Sequence, residues 1–154
     1  MRYIKIILLV LLVCSLYGFI PQSRIEAEVE ISQQPTINQI NYFAKIYGVE
    51  SRIVAKVIDC ESNGKQSAVG DSGRSRGIAQ FQKPTWNWME KKFVGEYGDK
   101  LDYNSSFDQI KLLSYAISKG WGNNWTSYVA IKKGGKFSFY SKQLNRHFTV
   151  KCNL

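Results

Sequence analysis

"CESNGKQSAVGDSGRSRGIAQF", residues 60–81, is the stretch that decides how the rest of the chain is interpreted. It begins at the end of "SRIVAKVIDCES" (residues 51–62), where Ser51 can cap a helix and the apolar positions 53, 54, 57 and 58 form one stripe that ends at Glu61. Asn63-Gly64 then stops this helix. The loop that follows has four glycines and no hydrophobic period, which predicts an irregular segment fitted around something else.

Glu61 is the residue of this stretch whose surroundings suggest chemistry. A carboxylic acid at the end of an apolar stripe is poorly solvated, which raises its pKa toward the value that a general acid needs near neutral pH. The alternative is that Glu61 is only the last polar residue of a helix, although a negative charge is unfavourable at that end of the helix dipole. Its position alone leaves both interpretations open.

Four further segments have the pattern of helices. Apolar residues at spacings of three and four predict a helix over residues 37–47. Pro84 starts a second, and Ser106 with Gln109 forms a capping box at the start of the third. A fourth covers residues 124–133. Since 154 residues have room for one domain, the sequence predicts a mainly α domain with short irregular or β inserts.

The first part of the chain differs in composition from the rest. Two basic residues precede an apolar run that ends at Ile20, the order found in segments that engage a translocation machinery. Residues 1–27 are therefore predicted to be a signal peptide or an N-terminal membrane anchor, with cleavage and retention both open. Residues 28–36 are polar and aperiodic, so we expect a linker there. The domain then covers residues 37–154 of an extracytoplasmic protein, with a basic extension from about residue 132.

The net charge of +9 at pH 7 lies entirely in residues 31–154, because the acidic and basic residues before them cancel. Such a charge favours a polyanionic partner, such as nucleic acid, an acidic membrane surface or the anionic polymers of a bacterial wall. Charge alone does not choose among these. No recognised nucleic-acid motif is present, so we expect no nucleic-acid partner.

Cysteine and histidine usage bounds the chemistry further. Beyond the leader only Cys60 and Cys152 remain, and exported chains usually pair their cysteines in disulfides. We predict that these two pair, which stabilises the fold by roughly 4 kcal/mol in the chain-entropy model; the alternative is two free thiols. His147 is the single histidine, and the sequence has no HxxxH, CxxC or acidic calcium loop, so neither a metal nor a cofactor is expected.

Two motifs in the opening stretch, one at residues 61–62 and one at residues 77–81, resemble those of a known family. Glu61-Ser62 followed by "GIAQF" (residues 77–81) resembles the paired "ES" and "GLMQ" signatures of the soluble-type lytic transglycosylases (SLT domain) of the lysozyme-like superfamily. Cys60 and Thr85-Trp86 are similar to the resuscitation-promoting factors of that superfamily, and "GDSGRSRGIAQ" resembles a loop of goose-type lysozymes. The resemblance covers residues 38 to about 131.

The resemblance implies a lysozyme-like helical fold and an enzyme that cleaves peptidoglycan. We expect this enzyme to be exported, as the leader predicts, and to be a monomer. Its substrate would be the β-1,4 bond between N-acetylmuramic acid and N-acetylglucosamine in the glycan strands. A hydrolytic lysozyme, and a glycan- or polyanion-binding module without turnover, are the alternatives.

The roles of the family's residues can be carried onto the matching positions. Glu61 would act first as the acid and then as the base, and Ser62 would support this glutamate or the acetamido group of the sugar. Gln80 would hydrogen-bond a saccharide, and Gly77 and Phe81 belong to the same substrate-binding motif.

Tyr128 and Trp88 complete the candidate substrate contacts. Tyr128 stands where the family's third motif places a tyrosine against the reacting centre, although the asparagine that follows it in the family is Val129 here. Trp86 and Trp88 are two residues apart and cannot share a helix face, so at least one of them is expected to be exposed. We expect Trp88 to stack on a sugar; packing in the core is the alternative.

Two departures from the family bear on mechanism. Goose-type enzymes have an aspartate just past the "GLMQ" motif, where this chain has Gln82, and related small exported proteins often have a cysteine at the position of Ser127. Most glycosidases use two carboxylates, and Asp71 is the only local candidate for the second. One glutamate suffices if the muramyl 6-hydroxyl attacks its own anomeric carbon, because a tethered nucleophile replaces a positioned water. The expected product then carries a 1,6-anhydromuramyl end.

Overall fold

The computed structural model describes residues 22–141 and 146–152 and confirms a mainly α fold with small β inserts. Most of the predicted leader, and Lys142 of the basic extension, lie outside these residues. Every helix in the described ranges is too short or too polar to cross a bilayer. The helices are α1 (Gln22–Ser32), α2 (Thr36–Tyr47), α3 (Ser51–Ser62), α4 (Lys83–Tyr97), α5 (Ser106–Ser118) and α6 (Thr126–Lys132).

The strands form two small antiparallel units. β1 (Val69–Gly70), β2 (Ser75–Arg76) and β3 (Phe81–Gln82) make a three-stranded sheet within the glycine-rich loop. β4 (Lys136–Ser141) and β5 (Arg146–Lys151) form a hairpin in which Lys136 lies opposite Lys151. The extension from about residue 132 therefore continues α6 into this hairpin.

The core is built around α5, whose residues 109–116 are all buried. A helix that is buried on all sides needs partners on every face, and α2, α3 and α4 pack around it. The cap of α5 is Ser105, whose Oγ accepts a hydrogen bond from the Asp108 amide, one residue before the predicted Ser106. Gln109 therefore does not close a capping box; its side chain turns inward toward the glycine-rich loop.

The first helix, α1, covers the end of the predicted leader and the start of the predicted linker, where the sequence shows no sustained period. Its Glu28 accepts from Lys111 Nζ at 2.6 Å, and Asp99 lies 3.4 Å from the same nitrogen. The side chain of Lys111 is only 3% exposed, so its charge requires buried counter-ions. Glu28 supplies one, which ties α1 to the core. This pairing spans 83 residues and has no local signature in the sequence.

Candidate active site

The apolar stripe of α3 places Glu61 in a cleft. Val54, Val57 and Ile58 are buried, and α3 ends where Asn63 adopts a left-handed conformation with a φ of 53°. Glu61, in the last turn, therefore reaches the wall of a cleft of about 330 Å³. The residues that line this cleft are Glu61, Asp71, Ser75, Gln80, Phe81, Gln82, Thr85, Asn124, Trp125 and Thr126.

The environment of Glu61 favours its protonated form. Burial raises the pKa of this carboxyl above its ordinary value, and the negative charge of Asp71 raises it further. A hydrogen bond from Ser127 Oγ to Glu61 Oε1, at 2.5 Å, acts in the opposite direction. Glu61 thus combines the raised pKa of a general acid with a donor that stabilises the carboxylate left after proton transfer.

Asp71 lies in the same cleft and has the opposite electrostatic character. Its Oδ2 accepts hydrogen bonds from Ser75 Oγ at 2.8 Å and from Gln82 Nε2 at 2.9 Å. These two donors lower the pKa of Asp71 below its ordinary value, so this carboxyl stays ionised near neutral pH. Gln82 stands at the position of the aspartate in goose-type enzymes. It thus donates a hydrogen bond to a carboxylate and does not supply a carboxylate itself.

Gly77 is required by close packing in the loop. It has a φ of 83°, and a Cβ there would lie 2.1 Å from Gln109 Nε2. Gln109 itself accepts from the Ala79 amide at 3.0 Å, which fixes the backbone beside the cleft. Gln80, with a φ of 49°, uses its Nε2 to donate to the carbonyls of Ala68 and Gly77 at 3.0 and 2.8 Å. Gln80 lines the cleft while its amide nitrogen holds the loop closed.

The side chains of Ser62 and Phe81 make their contacts with other parts of the protein. Ser62 Oγ is 2.6 Å from the carbonyl oxygen of Ile78 and 3.1 Å from that of Ile58, so it ties the end of α3 to the "GIAQF" segment. Phe81 is 1% exposed, and its ring packs edge to face against Trp86 and Trp125. A ring buried in this way is not available to stack on a sugar.

The "WTSY" segment brings a residue to Glu61 that the sequence analysis did not select. The hydrogen-bond partner of Glu61 is Ser127, whereas the Tyr128 ring packs against Gly122, where a Cβ would lie 2.7 Å from the ring. Tyr128 is not among the residues that line the cleft. The motif itself was the available signal, but α6 turns its serine toward α3 and its tyrosine away.

The predicted disulfide between Cys60 and Cys152 is formed. The Cys152 amide also donates to the carbonyl of Gly135 at 2.8 Å, which closes the base of the β4–β5 hairpin. Because Cys60 directly precedes Glu61, the bridge holds the basic hairpin beside the end of α3. No group of three or more His, Cys, Asp or Glu side chains in the described part of the chain could hold a metal ion.

Trp88 is the exposed member of its pair, at 44%, whereas Trp86 is 1% exposed. It does not line the cleft, however. The Trp88 ring lies against that of Trp121 at a centroid distance of 4.7 Å. Trp88 itself is one helical turn beyond Thr85, which does line the cleft.

The helical domain thus has a buried acid and an ionised second carboxylate in one polar cleft, and glycosidases commonly use a pair of carboxyl groups. The family model of the transglycosylase SLT domain matches residues 38–145. The chain therefore belongs to the SLT-domain family of peptidoglycan lytic transglycosylases, in agreement with the resemblance seen in the sequence. The comparisons with curated proteins and with solved structures found no match.

Proposed function

We propose that this protein is an exported lytic transglycosylase that cleaves the β-1,4 bond between N-acetylmuramic acid and N-acetylglucosamine, with Glu61 as its single acid and base. The observation that carries the proposal is Glu61 itself. Burial raises the pKa of its carboxyl, it lies in a polar cleft, and its Oε1 accepts a hydrogen bond from Ser127.

The reaction divides into two proton transfers at Glu61. The protonated carboxyl first donates its proton to the glycosidic oxygen, the bond from C1 of muramic acid to that oxygen breaks, and glucosamine leaves with a free 4-hydroxyl. The Glu61 carboxylate then takes the proton of the muramyl 6-hydroxyl as that oxygen bonds to C1. The product carries a 1,6-anhydro ring, Glu61 is protonated again, and no water is consumed.

We assign Asp71 an electrostatic role in this cycle. Its hydrogen bonds from Ser75 and Gln82 keep it ionised, and positive charge develops at the anomeric carbon in the transition state. A fixed negative charge in the cleft stabilises that transition state without accepting a proton. Two carboxylates whose pKa values are displaced in opposite directions are suited to such a division of roles.

Hydrolysis is the alternative reaction, and the presence of Asp71 in the same cleft is the observation in its favour. An ionised Asp71 could activate a water for attack on the anomeric carbon. Mass spectrometry of the released muropeptides separates the two reactions. A free reducing end, which is one water heavier than the anhydro end, would show that the reaction is hydrolysis and would overturn our proposal.

Glu61→Gln tests the catalytic assignment, because it keeps the shape of the side chain and removes its proton chemistry. We expect the variant to fold, to bind purified peptidoglycan and to release no soluble muropeptides. Asp59→Asn, an exposed carboxyl on the same helix, is the matched control and should keep the wild-type rate. Release at the wild-type rate by Glu61→Gln would falsify the assignment. Binding without release by the wild-type chain would favour the glycan-binding module.

The basic hairpin suggests where the enzyme works. Six of the basic residues lie between 132 and 151, and that stretch contains no acidic residue. Lys136 and Lys151 face each other directly across β4 and β5, an arrangement that is unfavourable until an anion neutralises it. We propose that the basic residues of this segment concentrate the monomeric enzyme on the anionic polymers of the cell envelope, beside the glycan strands that it cleaves.

A further inference from the structure

An exposed aromatic surface lies next to the cleft, formed by Trp88 on α4 and Trp121 in the single-turn 3-10 helix Trp121–Asn124. The two rings are 4.7 Å apart and tilted by 45°. Trp121 in turn packs edge to face on Tyr115 at 5.7 Å, and Tyr115 is 2% exposed. The Trp121 ring is therefore anchored on the core, and the Trp88 ring that lies against it is 44% exposed to solvent.

The aromatic pair is carried by two elements that also contribute residues to the cleft. Thr85 lines the cleft and lies three residues before Trp88 on α4, so the two side chains share a helix face. Asn124 lines the cleft as well and ends the short 3-10 helix that begins at Trp121. Both elements that carry the tryptophans thus also form the wall of the cleft. Trp88 therefore lies one turn of α4 beyond a residue of the cleft wall.

The cleft is small for a polymeric ligand. Its volume of about 330 Å³ lies near the lower end of the range of about 300–1,000 Å³ for small-molecule sites. A glycan strand is much longer than the few rings that this volume holds. Its further sugars must contact the protein surface outside the cleft or remain in solvent.

We propose that Trp88, supported by Trp121, forms an additional saccharide subsite that stacks on a pyranose ring of the strand outside the cleft. This inference rests on the proposed function, since it assumes that the cleft holds a glycan. The apolar C–H face of a pyranose matches an exposed indole ring, and Trp88 presents such a ring without first having to be uncovered. The subsite makes the enzyme prefer long strands over short fragments.

The test is the dependence of affinity on ligand length. Calorimetric titration with β-1,4-linked N-acetylglucosamine oligomers, from the disaccharide to the hexasaccharide, is carried out on Glu61→Gln, which excludes turnover. We expect affinity to increase with length. Adding Trp88→Ala should lower affinity for the hexasaccharide by about five- to tenfold, the loss of one aromatic contact, and leave the disaccharide unchanged. Trp88→Phe should retain most of the length dependence.

Ile46→Ala is the matched control, because Ile46 is 43% exposed and lies on α2. It should leave the affinity for every oligomer unchanged. Thermal unfolding of each variant separates a loss of fold from a loss of binding, and the folded Trp88→Phe variant carries the test if Trp88→Ala is unstable. Equal affinity of the Trp88→Ala chain and its parent for the hexasaccharide would overturn the subsite, and so would an equal loss at every length.

Failure of the subsite and failure of the proposed catalysis give different results. If the wild-type chain releases no muropeptides but Trp88→Ala still abolishes the length dependence, the subsite stands and the proposed catalysis fails. If muropeptides are released but Trp88→Ala binds every oligomer as its parent does, the catalysis stands and the subsite is refuted.

Discussion

Replacing Ser127 with alanine tests the contact on which the proposed mechanism depends. Ser127 Oγ donates to Glu61 Oε1 at 2.5 Å, and Ser127 is only 1% exposed. Because the site of the hydroxyl is buried, water does not readily replace the donor in the variant. The effect of Ser127→Ala on catalysis should therefore reflect the loss of this hydrogen bond.

The magnitude follows from the change of charge on Glu61 during the reaction. A hydrogen bond between neutral groups contributes about 1 kcal/mol, and one to a charged group contributes about 1.5–3 kcal/mol. Since Glu61 is neutral before the first proton transfer and becomes a carboxylate as it proceeds, the variant loses roughly the difference, about 0.5–2 kcal/mol. That loss corresponds to a decrease in kcat of about two- to thirtyfold.

The pH dependence distinguishes this effect from general damage to the fold. Burial raises the pKa of Glu61, and the Ser127 hydrogen bond opposes that rise, so removal of the donor raises this pKa further. The acid must be protonated to act, and activity therefore falls as pH rises through the Glu61 pKa. In Ser127→Ala the alkaline limb of the kcat profile should move to higher pH.

The assay is the release of soluble muropeptides from purified peptidoglycan between about pH 4 and pH 9. Ser114→Ala is the matched control, because Ser114 is fully buried on α5 and its Oγ has no hydrogen-bond partner among the described residues. It should keep both the rate and the pH profile of the wild type. An alkaline limb that stays in place in Ser127→Ala, or moves to lower pH, refutes the reasoning.

Three further perturbations test the electrostatics. Because the pKa of Glu61 is raised in the folded state, ionisation of this carboxyl destabilises the fold as pH rises above its ordinary pKa of 4.5. Glu61→Gln should therefore raise the Tm at alkaline pH but not in acid. An equal Tm difference at both pH extremes, measured by calorimetry, contradicts this. Asp71→Asn should lower kcat by about tenfold while the products, measured by mass spectrometry, remain anhydro forms; a loss of all turnover would indicate a second proton acceptor. Lys151→Glu places a negative charge opposite Lys136, so it should stabilise the hairpin by up to about 1 kcal/mol. It should also reduce the amount of protein that co-sediments with cell walls at low salt. Lys91→Glu on α4 makes the same change of net charge and is the control.

Features that depend on neighbouring residues were predicted correctly from the sequence. The apolar stripe that ends at Glu61 predicted α3, because a helical period is visible within one segment. The spacing of this glutamate from residues 77–81 indicated the family, and the family match agrees with it. The pairing of Cys60 with Cys152 followed from the number of cysteines left beyond the leader of a chain predicted to be exported, and did not require the fold.

Contacts between distant segments were not predictable in this way. Ser127 lies 66 residues from Glu61, and no local pattern marks it as the partner in preference to Tyr128. The role of Gln82 as a donor to Asp71 depends on the way β3 folds back beside the loop. The helix α1 covers the end of the predicted leader and the start of the predicted linker, and its own sequence has no apolar stripe. The ion pair with Lys111 becomes evident only when α5 is seen to be buried.

Local patterns in the sequence predicted a helical domain with Glu61 next to a glycine-rich loop and a disulfide from Cys60 to Cys152, and they indicated the family. The groups that surround Glu61 became known from the fold, because packing of α3 against α6 sets the Ser127 contact and the three-stranded sheet brings Asp71 into the same cleft. A helical period is a property of one segment, whereas the pKa of a carboxyl depends on burial and on donors that arrive from other parts of the chain.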